Sequence, residues 1–375
     1  MKIICSCETL ASYFEVVRSI ARIQSPKPIL RNVKMEVRDE EIVLFATDME
    51  MGARISFPCE QILEAGTVLL PSDLVGKILK QLYRETLTIE SNKNQVIIKG
   101  GESQFEFSTE DPEEFPGIPV FSENNYIVTK ARYFKEGIKR TNFATDSESG
   151  RYALGGIFMD FKEGSLNFVS TDGRRMATQQ IEASVHGEYP EQKTAIATTR
   201  SLDALARLLT NADADISLAL LDNCFMVQTE NLFFYSSLLE GRFPDWRIGL
   251  NQLRNPKSMM LPFEEFTRCI RQAEIMTDST SPGVLLEFGN GKMTISKADV
   301  GKGKLQTRLA VDFHEDEMAL KLNVDFIVKF LGALDSESVV KMNFVDSRTG
   351  VLFETNDGYR YLVMPMQLDV KKQAG

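Results

Sequence analysis

Apolar positions recur at i, i+3 or i+4 and i+7 in three stretches of the chain: TLASYFEVVRSIARI (9–23), KARYFKEGIKRTNFA (130–144) and PFEEFTRCIRQAEIM (262–276). That spacing puts them on one side of a helix. Each stretch carries Arg or Lys on its other face, and Phe14, Phe134 and Phe266 fall at comparable points, 120 and 132 residues apart. A second trio follows at a matching offset: PSDLVGKILKQL (71–82), TTRSLDALARLL (198–209) and NVDFIVKFLGAL (323–334). Each of these comes after a β-like run and opens with Ser, Thr or Asn at an N-cap position. Between the helices lie short alternating segments such as QVIIKGGESQFEFST and GVLFETNDGYRYLVM, with hairpin signals at Asp172-Gly173 and Asp357-Gly358. The pattern predicts an α+β fold of three tandem copies of one unit, each with two helices and an antiparallel sheet of about eight strands. Polar, turn-rich text near 123–126 and 252–257 sets the domains at 1–124, 125–254 and 255–375.

At 375 residues the chain exceeds one ordinary core. No run approaches the roughly 18 apolar residues that a membrane-spanning helix needs, and the N-terminus, MKIICSCETL, lacks a secretory pattern. The expected location is therefore cytoplasmic, with no membrane partner. Cys5, Cys7, Cys59, Cys224 and Cys269 are scattered and odd in number, which fits reduced thiols. Cys5 and Cys7 read as small buried hydrophobes, because no second cysteine pair or nearby histidine completes a metal site. The net charge is −10, which taken alone argues against nucleic acid. The helical segments, however, are net positive, so the rest of the chain is more acidic than the whole. Such a distribution suits helices that share one face toward a polyanion, with basic residues on ordinary solvated faces as the alternative.

Catalytic chemistry is not visible. His186 and His314 belong to no nucleophile or metal pattern and read as surface residues. The lysines of GNGK and VGKGK lack the glycine spacing of a phosphate-binding loop. Adjacent acids such as Glu113-Glu114 and Glu264-Glu265 do not face each other on a helix or strand. A repeated module also favours an extended surface or a ring over a single catalytic centre.

Several segments together resemble one family, the bacterial DNA polymerase sliding clamps, beta subunits of the replicative DNA polymerase III holoenzyme. They are KPILRNV (27–33), FATDMEM (45–51), RYALGGI (151–157), STDGRRMA (170–177), LLEGRFPDWR (238–247) and VMPMQL (363–368), and the resemblance covers essentially the whole chain. It implies a non-enzymatic processivity factor without cofactor or metal: a head-to-tail homodimer, a six-domain ring with helices lining the hole. Such a ring encircles double-stranded DNA without reading bases. It tethers the replicative polymerase, the clamp loader, repair polymerases and other proteins that carry short clamp-binding peptides. The competing class is a monomeric, peptide-binding repeat scaffold, which a solution mass of about 42 kDa would favour.

The resemblance also implies site residues. The peptide groove would comprise Leu154, Thr171, Gly173, Arg175, Met176 and Pro244 with Val363, Met364, Pro365, Met366 and Leu368. Methionines suit a groove that fits several ligands, and Pro365 is expected to interrupt pairing and free backbone groups for an extended peptide. The alternative for Val363 and Met364 is the core of a last strand. Ring closure would use Phe105 and Phe107 against Ile275 and Met276. Arg22, Gln24 and Tyr152 match loop positions near the duplex, while Lys77, Lys80, Arg132, Lys139, Arg140 and Arg200 follow from the helix charge argument alone. Departures from the family pattern are Trp246, Ile248, Gly249, Gln367 and the extension 369–375, which could cover the groove or project from it.

Overall fold

The computed structural model describes residues 1–21, 24–92, 94–146, 152–299 and 301–368. Seven helices occur among them: α1 (Cys7–Arg18), α2 (Ser72–Gln81), α3 (Ala131–Thr141), α4 (Thr199–Leu208), α5 (Trp246–Leu250), α6 (Phe263–Glu274) and α7 (Val324–Ala333). The two predicted trios are α1, α3, α6 and α2, α4, α7. Phe14, Phe134 and Phe266 are all fully buried, each contributing on the order of 2 kcal/mol of apolar burial.

The predicted caps hold in two of three cases. Thr198 accepts from the Ser201 N–H at 3.1 Å and Asn323 from the Asp325 N–H at 3.0 Å. Ser72 differs: it is the first residue of α2 rather than its cap, Pro71 stands at the cap without a side-chain bond, and the buried Ser72 hydroxyl has no partner. The predicted start of α1 also moves, because Ser6 caps the Thr9 N–H at 3.3 Å and sets the helix in from Cys7.

Contacts divide the chain into two compact units, with the division falling inside α3. Unit 1 comprises 1–135 and 183–239. One of its sheets orders Gln61–Glu64, Lys2–Ser6, Thr86–Ser91, Gln95–Gly100 and Ser103–Ser108, leaving the last at an edge. The other runs from Ser184–His186 through Tyr126–Lys130, Asp215–Leu220, Cys224–Gln228, Leu232–Ser237, Met51–Pro58, Glu41–Thr47 and Asn32–Arg38 to Gly66–Pro71. Cys5 and Cys7 are buried here, and desolvation pushes their thiols up to about 12 and about 11.

Unit 2 comprises 136–182 and 240–375. Its larger run of strands is Gly156–Lys162, Ser165–Thr171, Arg175–Glu182, Tyr359–Val363, Val351–Thr355, Val340–Phe344 and Lys257–Leu261. A four-stranded sheet orders Gly303–Ala310, Lys292–Asp299, Gly283–Gly289 and Met318–Asn323. The core lies between these sheets and α6 and α7, around Phe266, Phe330, Phe344, Tyr359 and Tyr361.

Each unit joins its successive repeats in the same way. Leu232–Ser237 pairs antiparallel with Met51–Pro58, and Tyr359–Val363 pairs antiparallel with Arg175–Glu182. The turn ahead of each receiving strand is also built twice. Thr47 and Thr171 each donate to the carbonyl four residues on, and Asp48 and Asp172 each accept two backbone N–H groups. The turn's third residue needs a left-handed backbone, φ 82° at Gly173 and φ 79° at Met49, a region that costs a non-glycine residue about 1–2 kcal/mol.

Candidate functional site

The groove residues lie in unit 2, and strand alternation sorts them. In the pairing of Arg175–Glu182 with Tyr359–Val363, Arg175 stands opposite Val363 and Met176 opposite Leu362. Val363 packs in the core, fully buried. Arg175 lies beside it, its guanidinium 4.3 Å from the Phe326 ring and 5.7 Å from that of Phe143, with its Nε donating to Asp172 at 2.9 Å. Val363 is therefore corrected from a groove contact to a core residue. Met176 and Leu362 project on the other side of the sheet. Leu362 thus shares the side of the sheet that holds Met176, a position that the family resemblance did not name but that the period of two in YRYLVM gives.

The floor continues through glycines. A Cβ on Gly249 would stand 3.3 Å from Met176 Cε and 3.7 Å from Leu362 Cδ2, and one on Gly350 would stand 2.8 Å from Leu362 Cδ1 and 3.3 Å from Met364 Sδ. Met176, Leu362 and Met364 thus form a continuous apolar strip. Ile248 and Met364, 60% and 39% exposed, are its open rim. Ala153, Leu154 and residues 240–245, including Pro244, line a cavity of about 610 Å³.

The C-terminal run changes role at Val363. Met364 N–H donates to the Arg174 carbonyl at 2.8 Å and Met366 N–H to that of Lys321 at 2.7 Å. The run therefore leaves one sheet and ties to a strand of the other, with Pro365 as the step between. This corrects the expectation that Pro365 frees neighbouring donors, since both flanking N–H groups are engaged within the chain. Residues 369–375, and with them the expectation about the tail, lie outside the described residues.

The GRFPDWR segment is held over the sheet from beneath. The Asp160 carboxylate, its side chain fully buried, accepts from the Trp246 indole N–H at 3.2 Å and pairs with Arg247 at 2.8 Å. Arg247 in turn lies 4.3 Å over the Trp246 ring, and Phe243 stacks on Phe158 at 4.7 Å. α5 and its two unusual residues, Ile248 and Gly249, are fixed by these contacts.

The cations predicted to face DNA fall into two groups. Lys77, Lys80, Arg132 and Lys139 are exposed, as is Gln24. Each of these four cations has an acid near it: Lys77–Asp73 at 2.6 Å, Lys80–Glu15 at 3.9 Å, Lys139–Asp335 at 3.2 Å, and Arg132 with Asp213. Arg200 pairs with Asp48 at 2.6 Å. Arg140 is a correction: it is 3% exposed, paired with Glu136 at 2.7 Å and Asp357 at 2.8 Å, donating to Gln179 at 2.8 Å and lying 5.2 Å over Tyr359. Its charge is spent inside unit 2, so it is not a phosphate contact. Arg22 and the Tyr152 side chain lie outside the described residues.

His186 and His314 are both exposed. Phe105 and Phe107 are half-buried on the edge strand Ser103–Ser108, opposite Ile98 and Val96. Ile275, at the C-terminal end of α6, is 75% exposed, and Met276 is half-buried. The following turn is pinned by Asp278. Its carboxylate accepts from the Thr280 hydroxyl at 2.6 Å, pairs with Lys302 at 3.3 Å and takes the Ser281 N–H at 3.0 Å. These bonds, led by that from Thr280, hold its pKa well below the usual carboxylate range.

Residues 1–119 match the model of the DNA polymerase III beta subunit N-terminal domain, 129–245 that of its central domain, and 254–367 that of its C-terminal domain. The chain belongs to the DNA polymerase III beta subunit family. Among relatives, the beta sliding clamp of Pseudomonas putida is 25% identical over 364 residues, 96% of this chain and 98% of the relative. That of Chlamydia pneumoniae is 26% identical over 376 residues, 98% and 99% of the two. Two solved clamps share the fold. The Pseudomonas aeruginosa clamp bound to griselimycin has TM-score 0.91 at 24% identity, covering 98% of this chain and 100% of the other. The Helicobacter pylori clamp bound to a DNA ligase peptide has TM-score 0.88 at 21% identity, with the same coverage. The beta subunit family is one of processivity factors, not catalysts, and its three-domain fold accounts for the triple repeat.

Proposed function

We propose that this beta subunit acts as a ring of two chains that encircles duplex DNA and holds client proteins through short extended peptides bound over Met176, Leu362 and Met364. The observation that carries this reading is the apolar strip itself: Met176, Leu362 and Met364 lie in line, with Met364 and Ile248 exposed along its rim. Leu154, Pro244, Met366 and Leu368 extend it, while Thr171, Gly173 and Arg175 shape its turn from behind. The clients are the replicative polymerase, the clamp loader and repair proteins such as DNA ligase, the last because the Helicobacter pylori clamp was solved with a DNA ligase peptide. The bacterial cytoplasm is the compartment, and the repeats divide near 124 and 254.

Ring closure pairs the edge strand Ser103–Ser108 of one chain with Gly303–Ala310 of its partner, with Ile275 and Met276 covering Phe105 and Phe107. Both strands end their sheets, and two aromatics on an open edge are a liability unless covered. Charge supports the match, since Glu102 and Glu106 are exposed on the first edge and Lys304 and Arg308 on the second.

DNA contact through Lys77, Lys80, Arg132, Lys139 and Arg200 is weak by construction. Each cation already has a carboxylate nearby, so a phosphate must compete for it, and every contact made is screened by salt. Loose contacts permit sliding, and topology prevents escape.

Retention on DNA tests this. After loading on a nicked circle at raised salt, the protein stays bound, and linearising the same DNA releases it. Phe107→Asp is expected to abolish retention on the circle and shift the solution mass to one chain, about 42 kDa. Equal loss from circle and line by the unaltered protein would sink the ring.

A further inference from the structure

A cavity of about 990 Å³ lies in unit 1, where two hairpin turns meet the end of α4. Its apolar wall is Tyr13 from α1 with Phe57, Leu209 and Leu232, and the Tyr13 ring stacks on that of Phe57 with centroids 4.3 Å apart. The facing wall is acidic: Asp39, Glu40 and Glu41 come from the first turn and Glu230 from the second. Both turns are tied to the strand Met51–Pro58. The Ser56 N–H donates to the Asn231 carbonyl at 2.9 Å, and the Cys59 N–H, just past the strand, to that of Glu40 at 3.0 Å. Among the described residues no Lys or Arg lines the cavity. Arg38 reaches Glu41 at 3.8 Å and the Lys135 ammonium donates to the Leu209 carbonyl at 2.9 Å, but no described cation pairs with Asp39, Glu40 or Glu230.

Unit 2 holds the same corner with its cation in place. Counting from the start of each helix, Arg140 of α3 falls where α1 has Val16. Counting back from Leu362 and Tyr235, which stand opposite equivalent residues, Asp357 falls where unit 1 has Glu230, and Tyr359 where it has Leu232. Arg140 pairs with Asp357 at 2.8 Å and lies 5.2 Å over the Tyr359 ring. Unit 1 therefore keeps the acid and the apolar residue next to it but lacks the guanidinium between helix and turn.

We propose that this cavity takes an arginine from an extended basic segment of a partner protein, with the guanidinium on Glu230 and the stem along Leu232, Tyr13 and Phe57. The chemistry matches in both halves, since a guanidinium forks onto a carboxylate while its methylene stem covers apolar surface. Ligand sites commonly enclose about 300–1,000 Å³, so the cavity admits the arginine together with its neighbours. Asp39 and Glu40, both exposed, favour further positive charge beside that arginine and repel the phosphates of a nucleic acid. The occupant is thus a protein segment, and the site does not depend on the peptide groove of unit 2.

The test uses a fluorescein-labelled octapeptide, Ser-Gly-Leu-Arg-Leu-Arg-Gly-Ser, and its copy with glutamine for both arginines, read by fluorescence anisotropy on the full chain at low salt. The arginine peptide is expected to bind about tenfold more tightly than the glutamine peptide. Glu230→Gln, a substitution in an exposed turn, should keep the thermal midpoint and weaken the arginine peptide about fivefold. Val16→Arg supplies a guanidinium from the chain itself, as Arg140 does in the other repeat, and should weaken that peptide about tenfold or more by occupying its place. Met364→Glu should leave its affinity within about twofold, which separates this cavity from the groove. Equal binding of the two peptides, or full affinity in both Glu230→Gln and Val16→Arg, overturns the proposal. So does displacement by argininamide at the concentration of the peptide itself, which would mean a site for a lone cation. Absence of binding at millimolar concentration overturns it as well and leaves the groove reading standing.

Discussion

Arg140→Met is expected to lower the unfolding free energy by about 3 kcal/mol. Removing one partner of a buried ion pair costs roughly 3–5 kcal/mol when the charges left behind are fully enclosed. Here Asp357 and Glu136 keep some solvent access, with side chains 47% and 35% exposed, which places the effect at the lower end. The Gln179 carbonyl, however, loses its guanidinium donor, and Tyr359 loses the cation over its ring. Chemical denaturation followed by circular dichroism measures the difference, and a change below about 1 kcal/mol would mean that the network is ornamental. The pH dependence gives an independent reading. Burial raises the Asp357 carboxyl, but the hydrogen bonds and charge of Arg140, with the Thr355 hydroxyl, outweigh it and leave the pKa depressed. A depressed carboxylate contributes stability above its unfolded value, near 3.9, and loses it as pH falls through the folded value. The gap between the native protein and Arg140→Met should therefore be widest near neutrality and narrow below about pH 4.

Met364→Glu should weaken peptide binding by about 100-fold while leaving the thermal midpoint within a degree or two. The side chain is 39% exposed in the free protein, so a carboxylate there is solvated and folding tolerates it. A bound peptide would strip that water without supplying a hydrogen-bond donor, and about 2.7 kcal/mol is a modest charge for such desolvation. Val363→Glu makes the contrast, because Val363 is fully buried in the core of unit 2 and the same substitution there should prevent folding. Unaltered affinity in Met364→Glu, measured by fluorescence anisotropy with a labelled clamp-binding peptide of DNA ligase, would show that the peptide lies elsewhere.

Much of this was legible in the sequence, because helices and strands declare themselves by period. The six long helices follow apolar spacing, and Thr198 and Asn323 cap as their side-chain chemistry requires. Ser72 did not, because Pro71 took the cap position one residue earlier. Counting formal charges could not separate Arg140 from Lys139, its neighbour on the helix. Lys139 points to solvent, whereas Arg140 meets Asp357, which lies far along the chain and became its partner only through the pairing of strands around Tyr359. The run YRYLVMPMQL combined both answers: core through Val363, surface from Met364. Its alternation put Leu362 on the side of the sheet that holds Met176, a position that the family resemblance did not name.

The doubled junction also bears on how the chain finds its fold. Strands 232–237 and 359–363 each look for a partner that follows the same Thr-Asp turn, so each meets one correct edge and one near-copy. Side-chain size distinguishes them. Tyr235 stands opposite Gly52, where a Cβ would lie 2.6 Å from the Tyr235 ring, while Leu362 stands opposite Met176. An exchanged pairing would press a tyrosine against a methionine at one junction and leave a leucine over a bare glycine at the other. Overpacking and a cavity each cost on the order of 1–3 kcal/mol, so the swap is penalised twice. Gly52 is thus a proofreading position: Gly52→Met would make the two edges alike while pressing a side chain on the Tyr235 ring, and its signature would be a slow refolding phase from exchanged pairing on top of a loss of stability.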